Sequence, residues 1–118
     1  MPVRSLTSSV LVWPNRAQVD RAVRDWADRI AATRREVRRI GYFGSYARGD
    51  WGVGSDLDIL VIVDRAEERR DRRALALDVS DLPVPAEVLV YTEDEWRALV
   101  SGGARFGSML ARETVWVR

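Results

Sequence analysis

Two short stretches of this chain hold the side chains best suited to chemistry. They are Gly44-Ser45-Tyr46-Ala47-Arg48-Gly49 and, after a loop, Ser55-Asp56-Leu57-Asp58-Ile59-Leu60. Asp56 and Asp58 stand two apart at the head of a strand-like run, a spacing that puts both carboxylates on one face. Like charges so placed repel each other and destabilise a domain unless a cation sits between them. Hard divalent ions take oxygen ligands, and magnesium is usually held by one or two carboxylates together with substrate phosphates. The plainer alternative is a pair of exposed acids at a strand start. Upstream, Gly44 lets a bulky anion approach the backbone, and Ser45 offers a hydroxyl beside the first amides of a short helical turn. An ordinary strand-to-helix turn uses the same residues. Arg48 either sets a planar cation against phosphate or pairs with Asp50. Each half is weak alone; together they predict a small anion cradle beside a carboxylate pair suited to magnesium and phosphate.

Composition narrows the chemistry further. The 118 residues contain no cysteine and no histidine, and every one of the 19 basic residues is an arginine. A disulfide framework, a thiolate metal site, a thiol nucleophile and a histidine base are thereby excluded, so proton transfer falls to carboxylates or bound water. A lysine-dependent phosphate loop is excluded as well. The net charge of +1 provides no global field for gathering nucleic acid, and direct nucleic-acid binding is not expected. Hydrophobic residues at 47% and charged residues at 31% describe an ordinary globular chain, expected to form one domain over residues 1–118. The first residues lack an apolar signal core, and no run approaches the roughly 18 apolar residues of a membrane span. A cytoplasmic location is expected.

The elements that must position these residues follow from periodicity. Residues 8–13 form an apolar run, read as an N-terminal strand or packing arm closed by Pro14 and Asn15. Val19, Val23, Trp26 and Ile30 recur at helical spacing, predicting an amphipathic helix over 16–33 with Asn15 as its N-cap. Residues 37–43 read as a strand, 46–50 as a helical turn, 51–55 as a glycine loop and 57–63 as a buried β-branched strand. Residues 66–80, with Glu67, Glu68 and several arginines beside Leu75, Leu77 and Val79, predict a surface helix whose charge run is its solvated face. After Pro83 and Pro85 come a strand at 86–91 and a helix at 93–99, started by a Thr92/Glu95 capping box. A turn at 101–103, a short helix at 105–111 and a strand at 114–117 complete the order. The fold class is α/β (α+β), a small mixed sheet flanked by helices on one or both faces.

Gly44-Ser45, the Arg48-Gly49 pair, and Ser55 followed by Asp56-Leu57-Asp58 resemble the signature of the polymerase-β-like nucleotidyltransferase superfamily. The resemblance is strongest over residues 41–63 and continues weakly to the terminal strand. Within that superfamily the chain is similar to the minimal nucleotidyltransferases, which often pair with a HEPN-domain protein as a toxin–antitoxin module. The resemblance implies two magnesium ions, ATP as substrate, and a third metal carboxylate, usually aspartate, on the following strand. Here the strand over 86–91 offers Glu87 as its only acid, one methylene longer. Glu87 shares a face with Leu89 and Tyr91 and reaches the aspartates if the two strands are neighbours. The alternative is an exposed acid following Pro85. Asp56, Asp58 and Glu87 would then be the metal ligands and catalytic residues, with Gly44, Ser45 and Arg48 on the nucleotide.

Trp13, Trp26, Trp96 and Trp116 are expected to serve packing, whereas Trp51, lying between the two halves of the signature, could stack on a base or touch a partner. Three functions remain open at this level. The chain transfers a nucleoside monophosphate to an acceptor hydroxyl, by the resemblance a tyrosine of a HEPN toxin; or it neutralises that toxin mainly by binding; or it binds nucleotide without transfer. For a chain this short, a protein partner is expected to supply the grip on an acceptor, docking on apolar surface at Trp13 or the C-terminal strand. Self-association is a further possibility.

Overall fold

The computed structural model describes residues 3–4 and 11–118, with side chains described from Trp13 onward. Strands β1 (Val3–Arg4) and β2 (Leu11–Val12) form a two-stranded antiparallel ribbon. The run expected over 8–13 therefore contains a strand at its end, while residues 8–10 lie outside the described residues.

Helix α1 (Arg16–Thr33) begins where the sequence places it: Asn15 accepts from the Gln18 amide and Gln18 reaches back to the Asn15 amide, closing a capping box. Its Val19, Val23, Trp26 and Ala27 form the apolar stripe and are buried. Strand β3 (Val37–Phe43) leads through Gly44 into α2 (Ser45–Arg48), a single turn that starts one residue earlier than expected. Strand β4 (Leu57–Val63) is buried along nearly its whole length, as its β-branched composition requires.

The expected surface helix over 66–80 is not what forms. The segment holds only α3 (Arg70–Arg73), one turn long, and a 3₁₀ turn at Ala74–Ala76. Two features of the sequence explain this. Like charges at Arg69, Arg70, Arg72 and Arg73 face one another at helical spacing, and Leu75, Leu77 and Val79 alternate every second residue instead of forming a helical stripe. Leu77 turns into the core while Leu75 is left exposed, and Trp26 Nε1 donates to the Asp78 carbonyl at 2.8 Å, pinning the extended end.

Strand β5 (Ala86–Thr92) passes into α4 (Glu93–Ser101) through the Thr92/Glu95 capping box, followed by α5 (Arg105–Glu113) and β6 (Val115–Trp116). The main sheet has the order β5-β4-β3-β6; β4 and β5 are parallel, and β3 is antiparallel to both of its neighbours. Gly41 lets β6 close on β3, because a Cβ there would lie 2.6 Å from Thr114 Cγ2 and 2.8 Å from the Val115 carbonyl. One face of the sheet packs on α1 through Ile40, Tyr42, Leu57, Ile59 and Val61. The other packs on α4 and α5 through Phe43, Leu60, Ile62 and Tyr91 against Leu110, Trp96 and Leu99. Helices thus cover both faces of a mixed sheet. No helix among the described residues is long and apolar enough to cross a membrane.

Candidate active site

Two registers bring the sequence-predicted residues to one end of the sheet. Phe43 pairs with Asp58 across β3 and β4, so the Gly44-Ser45 turn that follows Phe43 lies beside the head of β4. Asp58 in turn pairs with Glu87 across the parallel strands. Alternation puts Asp58 on the face of Leu60 and Ile62 and Glu87 on the face of Leu89 and Tyr91, which is the α4/α5 side of the sheet for both. Asp56 precedes β4 and is exposed, Glu87 is also exposed, and Asp58 is half-buried.

Gly44 is required there for two reasons. Its φ of 79° and ψ of −152° belong to a region that L side chains avoid, and a Cβ would collide with the Asp58 carboxylate. The glycine therefore makes room for the acid as much as for a ligand. Ser45 opens α2, and Arg48 is the first residue whose amide bonds back, to the Gly44 carbonyl at 3.0 Å. The amides before it have no acceptor within the turn. Among the described residues the Ser45 hydroxyl has no hydrogen-bond partner either. Ser55 organises the glycine loop: its hydroxyl accepts from the Gly52 amide at 2.8 Å and its own amide donates to the Gly52 carbonyl at 3.0 Å.

The electrostatics are those of crowded like charges. Burial pushes the Asp58 carboxyl above its ordinary value, the charges of Glu87 and then Asp56 push it the same way, and Arg48 offsets part of the rise. Arg48 itself takes the second of the two roles left open for it. Its Nε donates to Asp50 at 3.1 Å, and Nη1 lies 3.6 Å from Glu113 Oε1 at the end of α5. That Glu113 oxygen is buried and has no hydrogen bond. Among the described residues no three acidic side chains converge into a preformed metal-binding group. The donor set nevertheless suits a hard divalent ion, since oxygen ligands and uncompensated negative charge are what such an ion takes up.

Trp51 is stacked on buried Tyr46, ring centroids 5.5 Å apart and planes 9° from parallel, and Tyr46 in turn accepts from Trp13 Nε1 at 2.8 Å. One face of the Trp51 ring is therefore given to packing. Trp96 and Trp116 meet edge to face, so they too serve packing, as expected. Sequence reasoning missed Glu113, which lies far along the chain from Arg48. It also missed that Arg73, read as part of a solvated face, is only 10% exposed and grips Glu95 at 2.6 Å. The capping box was the one available signal that Glu95 is held in place.

A family model described as a nucleotidyltransferase domain matches residues 25–109. Among solved structures, the chain resembles a protein from Sulfolobus solfataricus described as a nucleotidyltransferase, at a TM-score of 0.62 and 19% identity, covering 86% of this chain and 80% of that one. It also resembles a chain of a toxin–antitoxin structure with AMP-PNP, at a TM-score of 0.50 and 16% identity, covering 80% and 72%. At these identities the likeness is one of fold. No curated protein matches the sequence.

Proposed function

The chain belongs to the nucleotidyltransferase domain family, and on that premise we propose that it moves a nucleoside monophosphate, AMP from ATP, onto an acceptor hydroxyl of a HEPN-domain toxin, acting in the cytoplasm as the antitoxin. The observation that carries the reading is the gathering of Asp56, Asp58 and Glu87 at one sheet end, where burial first, and then the charges of Glu87 and Asp56, push the Asp58 carboxyl above its ordinary value. Charge gathered against its own electrostatics, beside a glycine that accommodates it, marks a site kept for a cation.

Asp56, Asp58 and Glu87 would hold the ions. Magnesium held there would supply charge for the triphosphate and acidity for the acceptor hydroxyl. Ser45 and the free amides at the start of α2 take the phosphate oxygens and hold the departing pyrophosphate. The acceptor oxygen bonds to the α-phosphorus as the bond from that phosphorus to pyrophosphate breaks. With no histidine in the chain, the acceptor proton passes to a carboxylate or to water. Arg48 reaches phosphate only by leaving Asp50, an exposed pair that costs little to open.

The toxin–antitoxin structure with AMP-PNP, whose matched chain shares this fold, supports a toxin–antitoxin setting for this reading. Purified chain, labelled ATP, magnesium and the toxin should yield a labelled toxin, and Glu87→Gln should lower that labelling at least tenfold. Normal labelling by Glu87→Gln removes Glu87 from the site. A second reading is neutralisation by binding without transfer, in keeping with the fact that among the described residues no three acids form a preformed group; a stable complex with no label would establish it.

A further inference from the structure

The outer edge of β5 is open at the end where Glu87 stands. Among the described residues β5 pairs only with β4, so half of its backbone groups face away from the sheet. The Pro85 carbonyl accepts from the Leu57 amide at 2.8 Å, which turns residues 85 and 87 toward β4 and, by alternation, Ala86, Val88 and Val90 outward. Arg73 obeys the same parity, since its Nη1 donates to the Val90 carbonyl at 3.2 Å from outside the sheet. Among the described residues nothing hydrogen-bonds to the outward groups of Ala86 or Val88. An unpaired edge of this kind is a template for an added strand.

Alongside lies an open groove of about 640 Å³, between Val88 and Tyr91 on one side and Arg69 to Ala74 on the other. Its charge is unevenly committed. Arg73 and Glu95 neutralise each other in the wall, whereas Arg69 and Arg70 on the rim are 80% and 60% exposed, tied to Asp71 and Glu95 by surface contacts at 3.3 and 3.7 Å, with Arg70 also lying over the Tyr91 ring at 5.2 Å. The rim is therefore basic. Glu87 sits between the two open residues, Ala86 and Val88, and the Arg73 cap on Val90 ends the free stretch.

We propose that a short, extended, acidic segment of the acceptor protein adds to the β5 edge at Ala86 and Val88, its acidic side chains meeting Arg69 and Arg70 and its hydroxyl-bearing residue falling beside Glu87. The inference rests on the transfer reading above and gives that reaction its acceptor site. Backbone pairing supplies affinity, the arginine rim selects charge, and the Arg73 cap fixes how far the segment can slide.

The probe is a fluorescein-labelled peptide, Glu-Glu-Val-Tyr-Val-Glu-Glu, followed by anisotropy against the full chain, with Mg-ATP binding measured in parallel. Val88→Pro removes only an outward amide and no bond to β4, so the sheet survives it. Peptide affinity should fall about tenfold in Val88→Pro and in the Arg69→Glu/Arg70→Glu pair, and hold in Val88→Ala, which keeps the amide. Amide hydrogen exchange gives an independent readout: the Val88 amide should exchange fast in the free chain and at least tenfold more slowly with peptide bound. Equal affinity for Val88→Pro, or equal binding of a peptide with lysines in place of the glutamates, overturns the proposal. So does a Val88 amide already protected by concentration-dependent self-association, which would make a second copy the occupant. Wild-type chain that binds Mg-ATP but not the peptide refutes the edge site alone; chain that binds the peptide but not Mg-ATP refutes the transfer reading alone.

Discussion

Two groups of charged residues flank β5, one at each end, and they are built on opposite principles. At the start of the strand Asp56, Asp58 and Glu87 gather like charges, with Asp58 pushed above its ordinary pKa. At the far end Arg73 and Glu95 join opposite charges: Glu95 accepts from both terminal guanidinium nitrogens, at 2.6 and 3.3 Å, and from the Thr92 amide at 2.8 Å. The hydrogen bonds from Arg73 lead in holding the Glu95 carboxyl down at about 2. The direction of the shift therefore separates the two. A raised acid marks charge that the fold tolerates at a cost, and a depressed one marks charge that the fold uses to hold itself together.

Substitutions test that contrast by moving stability and activity in opposite senses. Asp58→Asn should lower transfer about a thousandfold, equivalent to about 4 kcal/mol of barrier, while leaving thermal stability unchanged or raised because a repulsion is relieved. A variant that loses stability and activity together would place Asp58 among the structural acids. Glu95→Ala should act the other way, costing about 3 kcal/mol in urea unfolding, since it strands a nearly buried Arg73 and removes a helix cap. Its nucleotide affinity, measured where the variant is still folded, should be close to wild type. Gly44→Ala links the two regions, because it strains a φ of 79° and drives a methyl into the Asp58 carboxylate. A stability loss of about 2 kcal/mol is expected, together with weakened Mg-ATP binding by calorimetry.

The smallest effect is in pH dependence. Glu95 ionises in the fold at about 2 against an ordinary 4.5, so its contribution is complete above 4.5 and disappears as pH falls toward 2. Asp58 has the opposite sign: its folded pKa lies above 3.8, so stability is lost as pH rises through that raised value. Melting temperatures between pH 2 and 7 should show Glu95→Gln flattening the acid limb and Asp58→Asn removing the loss above it. Identical profiles for the two variants would erase the distinction.

Much of the scaffold was legible beforehand because it rests on local physics. Strands Val37–Phe43 and Leu57–Val63, helix Arg16–Thr33 with its Asn15 cap, and the Thr92/Glu95 box all follow from periodicity and short-range hydrogen bonding. The segment over 66–80 was misread where a charge run looked like a solvated helix face, because whether an arginine is solvated depends on what packs on it. For Arg73 that partner is Glu95, on a different element.

The site divides along the same line. The sequence alone determined each half separately, a Gly-Ser turn after one strand and Asp56 and Asp58 on one face at the head of the next, since each is set by neighbours along the chain and by a strand's twofold alternation, whereas the β3–β4 register puts the halves side by side. Tertiary structure alone decided that Glu87 stands in register with Asp58, that Gly44 makes room for the Asp58 carboxylate, and that Arg48 is held by Asp50 and Glu113. Those are relations between strands and helices distant in sequence, and they exist only once packing has fixed which strand lies beside which.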